Sequence, residues 1–187
     1  MPRLHAELAT TVNSHLAAVP PAQIRAFDEE ISAVPGLVKL TLGEPDFAVP
    51  DHVKKAAIES IQNDDSHYSS SKGKIELRKA ISKYLEQSRH VYYDPETEIV
   101  VTIGATEAVT ATTFAMLNPG DKVIIPTPAF SLYFPSVSLT GAEPIKVNTA
   151  EDGFLLSAER LEEVLAKEGP AVKAVLLNYP NNPTGRS

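Results

Sequence analysis

The residues with the clearest chemical potential follow the last apolar run of the sequence. That run, Ala174 to Leu177, is predicted to be a buried strand, and a loop rich in asparagine and proline follows it over 178–185. Turn chemistry by itself explains these residue types. However, ligands of open parallel sheets bind beyond the carboxyl ends of the strands. Because a side-chain amide can donate a hydrogen bond to an oxygen on a ring, Asn182 is the first candidate site residue.

A second candidate is the triplet Gly104, Ala105 and Thr106, which lies between an apolar run and a predicted helix. Small residues at such a junction leave backbone N–H groups uncovered, and the positive end of the helix dipole attracts an anion there. The triplet therefore suits a phosphate group. A tight turn capped by Thr106 is the alternative, and for this triplet taken alone the turn is favoured.

Two aromatic residues are further candidates. Phe130 follows a loop stiffened by Pro126 and Pro128, and its flat ring suits a planar heterocycle. Tyr68 lies in a serine-rich loop, where its hydroxyl could contact an anion. The alternatives are a core aromatic at a helix start for Phe130 and a surface residue covering apolar area for Tyr68.

The elements that must position these residues alternate between strand and helix from residue 98 to the end. Short apolar strands separated by helices indicate an α/β fold, with a mainly parallel sheet between two layers of helices. Upstream, helices are predicted from Pro20 to Ile31, from Asp51 as the capping residue, and over 74–89. The predicted strands are 98–103, 122–125, 144–147 and from Val172, and the predicted helices between them are 106–117, 130–139 and 157–167.

Composition excludes several classes of function. The 187 residues carry a net charge of -7 without a basic cluster, which argues against binding to nucleic acid. The sequence has no cysteine, and its five histidines lack the spacing of metal ligands, so no metal site is expected. No apolar run is long enough to span a membrane, and the first 18 residues do not resemble a signal peptide. We expect a cytoplasmic protein with small-molecule partners.

Taken together, the motifs resemble those of the class I/II pyridoxal-phosphate-dependent aminotransferases of fold type I. Each motif is modest alone, but five in the right order over most of the chain are specific. The motifs are Leu42-Gly43-Glu44-Pro45-Asp46-Phe47; Tyr68 with Gly73 and Leu77-Arg78; Thr102-x-Gly104-Ala105-Thr106-x-Ala108; Pro126-x-Pro128-x-Phe130-x-x-Tyr133; and Asn178-x-Pro180-x-Asn182-Pro183-Thr184-Gly185.

The resemblance implies roles in binding pyridoxal 5'-phosphate. Ala105 and Thr106, after Gly104, would hold the phosphate. Phe130 would stack on the pyridine ring, and Asn182 would donate a hydrogen bond to the phenolic oxygen of that ring.

The resemblance also implies roles for two residues in substrate binding and assembly. The backbone at Gly43 would lie near the substrate carboxylate. Tyr68 would reach the cofactor phosphate of a neighbouring subunit, so a homodimer is expected. The implied substrates are an α-amino acid, aromatic or aspartate-like, and a 2-oxo acid.

The matched motifs cover about half of a family member. Residues 1–45 would form an N-terminal arm and part of the small domain, and 46–187 the first half of the cofactor-binding large domain. The family's Schiff-base lysine lies beyond the Asn-Pro-Thr-Gly loop, and Lys173 cannot replace it, because that residue starts the last strand. We therefore expect no catalytic residue in this chain, no activity of the chain alone, and weak or absent cofactor binding.

Two alternatives to an aminotransferase remain open from the sequence. A carbon–sulfur lyase of the same fold would share the phosphate site and the lysine but eliminate from Cβ. A non-catalytic fragment would fold or dimerise without chemistry.

Overall fold

The computed structural model describes residues 13, 16, 19 and 23–187. They form two compact units. One unit is Gly36–Gly104, and the other is Ala105–Ser187 together with the described residues up to Pro35. The start of the helix predicted at Pro20 lies outside the described residues, and the helix itself, α1, is described over Gln23–Ile31.

The unit that contains Ala105–Ser187 is built on a parallel sheet, which confirms the predicted α/β fold class. Its strands are β1 (Lys122–Thr127), β2 (Glu143–Asn148) and β3 (Val172–Val175), in the order β2-β1-β3. Both neighbours of β1 run parallel to it, and the pairing with β3 shifts between Lys122 and Val123.

The central strand β1 is buried on both faces, as a parallel strand covered by helices should be. Val123 and Ile125 join a core cluster with Val137, while Ile124 is 0% exposed and lies outside that cluster. Alternate residues of a strand point to opposite faces. Full burial of each such side chain stabilises the fold by about 1.5–3 kcal/mol, so this strand is a fixed base for the loop that follows it.

The helices of this unit follow the predicted alternation. They are α4 (Gly104–Met116), α5 (Tyr133–Ser138) and α6 (Ala158–Glu168), the last followed by a 3₁₀ turn over Gly169–Ala171. Helix α6 starts where predicted, because the Ser157 side chain accepts a hydrogen bond from the Arg160 N–H at 3.1 Å.

The unit Gly36–Gly104 contains the helices α2 (Asp51–Gln62) and α3 (Ile75–Arg89). Asp51 was expected to cap α2, but the cap position is Pro50 and Asp51 is the first helical residue. Its carboxylate instead pairs with the Lys54 ammonium at 3.0 Å.

One buried cation, Arg78, links three backbone segments in the interior of this unit. Arg78 is 7% exposed, and its Nε donates to the Gly73 carbonyl at 3.1 Å. Its Nη1 donates to the carbonyls of Pro95 and Glu96. These bonds hold α3 against the segments on either side of it.

The prediction of a strand over 98–103 is wrong. Glu98 lies in a turn, and residues 99–103 belong to no sheet of the described residues. One of their backbone bonds runs from the Val101 N–H to the Lys72 carbonyl at 2.9 Å, and Val100 and Ile103 are 62% and 93% exposed. Apolar β-branched residues favour extended backbone, but a strand also needs a neighbouring edge for its ladder, and here none of the described segments supplies one.

Candidate functional site

Two of the predicted site residues lie on loops at the same end of the sheet. Phe130 follows β1, which ends at Thr127, and Asn182 follows β3, which ends at Val175. The Leu176 N–H still donates to the Ile124 carbonyl at 2.9 Å, so the chain after β3 stays beside β1. Because the strands are parallel, both loops leave from the carboxyl edge.

Asn181 joins these two loops. Its side-chain Nδ2 donates to the Pro128 carbonyl at 3.3 Å. Its Oδ1 accepts from the Thr184 N–H at 3.2 Å and from the Thr184 hydroxyl at 3.0 Å. The sequence predicted Asn182 as the site residue and missed Asn181. The only signal for it was a second asparagine in the same turn.

Phe130 is held edge to face by Tyr133. Their ring centroids are 5.6 Å apart, with an interplanar angle of 82°, a favourable aromatic geometry. Tyr133 also lines a small cavity with Leu176 and Asn181, and burial raises the pKa of its hydroxyl above the ordinary value of 10.0. Phe130 itself remains 38% exposed, so part of its ring is open to a ligand.

Asn182 has a restrained backbone and a free side chain. Its backbone N–H donates to the Asn178 side-chain oxygen at 3.0 Å. The Tyr179 hydroxyl accepts from the Leu156 N–H at 3.3 Å, which ties the same loop to the segment before α6. The Asn182 amide is exposed and has no hydrogen-bond partner within the described part of the chain, so it is available as a donor.

The amino terminus of α4 lies at this edge as well. Only residues 117–121 connect α4 to β1, so the helix returns antiparallel to the strand. Consistent with this, Leu117, which follows the end of α4, lies in the core with Val123 near the start of β1. Thirteen residues at about 1.5 Å each give about 20 Å, close to the length of a six-residue strand.

The first turn of α4 is open to solvent. Ala105 and Thr106 are exposed, and the Thr106 hydroxyl has no partner within the described residues. The backbone at Gly104 has φ +85°, and a Cβ placed there would meet nothing within 4 Å. The N–H groups of this turn are therefore accessible to an anion. Glu107 in the same turn stabilises the helix end and adds a negative charge.

The remaining predicted site residues belong to the unit Gly36–Gly104. Gly43 is exposed, and Tyr68 is fully exposed. The Lys74–Asp65 ion pair closes the loop that carries Tyr68. The hydrogen bond from Lys74 holds the pKa of the Asp65 carboxyl below its ordinary value.

Residues 13, 16, 19 and 23–187 contain no cluster of three or more side chains suited to a metal ion. No helix among them is long and apolar enough to cross a membrane.

Comparison with known proteins identifies the family. The family model described as aminotransferase class I and II matches residues 35–187. The chain belongs to this family. It is 40% identical over 162 residues to a probable N-acetyl-LL-diaminopimelate aminotransferase of Bacillus subtilis, a match that covers 87% of this chain and 40% of the relative.

Two further proteins similar to this chain of the aminotransferase family are named for different amino acids. An aromatic-amino-acid aminotransferase of Thermococcus litoralis is 34% identical over 175 residues, 93% of this chain and 44% of the relative. The solved aspartate aminotransferase of Thermus thermophilus with maleate has a TM-score of 0.85 and 32% identity, over 92% of this chain and 46% of that structure. The chain thus spans less than half the length of these relatives.

Aminotransferases of this family use pyridoxal phosphate, and the residues present fit that group. The cofactor needs donors for a phosphate, a flat surface for its ring and a donor for its phenolic oxygen. In the unit that contains Ala105–Ser187, the open first turn of α4, the part-exposed Phe130 ring and the unpaired Asn182 amide have these properties.

Proposed function

We propose that this chain forms the cofactor-binding part of an aminotransferase that moves an amino group between an α-amino acid and a 2-oxo acid. One observation carries the proposal. The Phe130 ring and the free amide of Asn182 lie on adjoining loops at the carboxyl edge of the sheet, joined by the hydrogen bond from Asn181 to Pro128 at 3.3 Å. An aromatic surface and a hydrogen-bond donor so arranged suit a planar ring that carries an oxygen.

Each residue has a separate task in this proposal. The N–H groups at Ala105 and Thr106, with the Thr106 hydroxyl, bind the phosphate after the turn at Gly104. Phe130 holds the ring by stacking, and Asn182 donates to the phenolic oxygen and fixes the ring's rotation. When bound, pyridoxal phosphate supplies the electron sink that makes proton removal from the substrate Cα possible.

The proposed amino donor is aromatic or aspartate-like. The names of the relatives support this range, since they include aromatic-amino-acid and aspartate aminotransferases. We assign the substrate carboxylate to the backbone at Gly43, whose exposure leaves it accessible.

We also propose a homodimer in which Tyr68 contacts the cofactor phosphate of the second subunit. Its full exposure supports a role toward a partner outside its own chain. We further propose that residues 1–45 form an N-terminal arm with part of the small domain and that residues 46–187 form the first half of the large domain. The location expected from the composition, the cytoplasm, is part of the same proposal.

The test uses a chimaera in which this chain replaces the matched 46% of the Thermus thermophilus aspartate aminotransferase. We expect the chimaera to bind pyridoxal phosphate and to transfer the amino group of aspartate to a 2-oxo acid. Thr106→Val and Asn182→Ala should each weaken cofactor binding. A chimaera that melts cooperatively yet does not bind the cofactor would contradict the proposal. Unchanged cofactor affinity in both substituted chimaeras would contradict it as well.

A further inference from the structure

We propose that Asn181 is a positioning residue that holds the Asn182 loop against the Phe130 loop, so that both groups face one bound ring. This inference deepens the proposed function and rests on it. Asn181 does not itself touch the ring in this proposal. It sets the separation of the two residues that do.

The Asn181 side chain is divided between two tasks. Its Oδ1 end organises its own turn through the two hydrogen bonds from Thr184. Its Nδ2 end reaches across 53 positions of sequence to the Pro128 carbonyl. The backbone adds further restraint, since the Asn181 N–H donates to the Arg186 carbonyl at 2.7 Å and its carbonyl accepts from the Gly185 N–H at 2.8 Å.

The two residues that this hydrogen bond joins, Asn181 and Pro128, are each close in sequence to one of the ligand-facing residues. Asn182 is the next residue on one side, and Phe130 follows Pro128 by two positions on the other. Among the described residues no other hydrogen bond joins the two loops. The bonds of Asn178 and Tyr179 restrain the loop after β3 without reaching the loop after β1.

A pair of substitutions separates the two tasks. Asn181→Asp keeps the size of the side chain and an oxygen for Thr184, but it removes the donor and places a carboxylate oxygen against the Pro128 carbonyl. Thr184→Val removes the hydroxyl that donates to Asn181 Oδ1 at 3.0 Å and accepts from the Arg186 N–H at 3.3 Å, and it leaves the bridge to Pro128 intact. Asn181→Ala is the second bridge variant. It removes the donor without adding charge, and it also removes the Oδ1 acceptor of Thr184, an effect for which Thr184→Val is the control.

The first measurement is hydrogen–deuterium exchange of the cofactor-free chain. We expect faster exchange over residues 126–132 in Asn181→Asp and Asn181→Ala, and wild-type exchange there in Thr184→Val. Unchanged exchange over 126–132 in both Asn181 variants would overturn the bridge. This arm does not depend on the proposed function.

The second measurement is titration of the chimaera with pyridoxal phosphate, followed by fluorescence and by the induced circular dichroism of the bound cofactor. Loss of one hydrogen bond predicts an affinity about two- to tenfold lower for Asn181→Asp. The induced signal per bound cofactor should also change, because the ring is held in another orientation, whereas Thr184→Val should keep that signal. Wild-type affinity and signal in both Asn181 variants would overturn the positioning role.

The exchange measurement tests the bridge between the loops, and the titration tests the proposed cofactor binding. If the chimaera without these substitutions shows no saturable binding, the cofactor assignment fails and the positioning role toward the ring fails with it. Faster exchange over 126–132 in the variants would then still support the bridge between the loops.

Discussion

The rings of Phe130 and Tyr133 meet edge to face, with centroids 5.6 Å apart and planes at 82°. Tyr133 is partly buried at the start of α5, and Phe130 remains 38% exposed. The partly buried ring therefore orients the exposed one. This arrangement gives Phe130 a fixed direction before any ligand binds, which lowers the cost of ordering it on binding.

Replacing this exposed ring should weaken cofactor binding. Phe130→Leu keeps an apolar side chain but removes the flat surface, and aromatic stacking contributes about 0.5–1.5 kcal/mol beyond burial. In the chimaera, we expect the dissociation constant for pyridoxal phosphate to rise by up to about tenfold, measured by fluorescence titration. Phe154→Leu is the matched control, because Phe154 has the same 38% exposure and lies outside the candidate site. Equal losses in both variants would count against stacking on Phe130.

Removal of the Asn182 amide should weaken binding for a different reason. Asn182→Ala removes a donor that contributes about 0.5–1.5 kcal/mol, so the affinity of the chimaera for pyridoxal phosphate should fall by about two- to tenfold. Asn118→Ala is the control: Asn118 is also exposed, and its backbone N–H also bonds to a side-chain oxygen, that of Asp121 at 2.8 Å. It precedes β1, at the opposite end of the strand. If both substitutions change the absorbance titration alike, Asn182 has no specific role.

Gly73 should be intolerant of any side chain. Its φ is +90°, and a Cβ there would lie 2.7 Å from the Cβ of Val101. Gly73→Ala therefore combines left-handed backbone strain of about 1–2 kcal/mol with an overpacking cost of about 1–3 kcal/mol. The control is Gly36→Ala, in the same unit, where φ is +73° and nothing lies within 4 Å. Urea denaturation should give the larger loss for Gly73→Ala, and equal losses would refute the clash.

The ion pair between Lys122 and Glu168 should make stability depend on pH. The two atoms Nζ and Oε2 are 2.9 Å apart, and the side chains are 24% and 15% exposed. The hydrogen bond from Lys122 lowers the pKa of Glu168 below its ordinary 4.5, and the same bond raises the pKa of Lys122 above its ordinary 10.5. The pair links the start of β1 to the end of α6.

These two pKa shifts determine how the free energy of unfolding changes with pH. The contribution of Glu168 is present above pH 4.5 and is lost as the pH falls through its folded pKa. The contribution of Lys122 is present below pH 10.5 and is lost as the pH rises through its folded pKa. Glu168→Gln should therefore lower the free energy of unfolding at neutral pH and approach the wild-type value in acid. Glu162→Gln, on the same helix and exposed, is the control. A Glu168→Gln deficit that persists unchanged in acid would rule out the charge effect.

Much of the fold was predictable because it depends on local patterns. The alternation of apolar strands and amphipathic helices after residue 105 indicated a parallel sheet, and β1, β2 and β3 lie within two residues of their predicted positions. The run 98–103 has the same apolar composition but belongs to no sheet of the described chain. Composition does not reveal whether a neighbouring edge is available.

The candidate site was predictable to a similar degree. Phe130 and Asn182 were identified because each follows a strand of a parallel sheet, and parallel strands bring their following loops to one edge. The motifs also identified the aminotransferase family, which the comparisons confirm over residues 35–187. Their roles toward a cofactor stay a prediction.

By itself the sequence determined the α/β class, the family and the loops that carry the candidate ligand-facing residues, since motif order and hydrophobic period are properties of the chain. Only the tertiary structure decided which of two adjacent asparagines joins the loops. Asn181 and Asn182 have the same chemistry, but the backbone of the turn directs the first amide to the Pro128 carbonyl and leaves the second without a partner in the described residues. The reason is that side-chain direction depends on backbone dihedral angles and on the neighbouring loop, and neither is encoded in residue type.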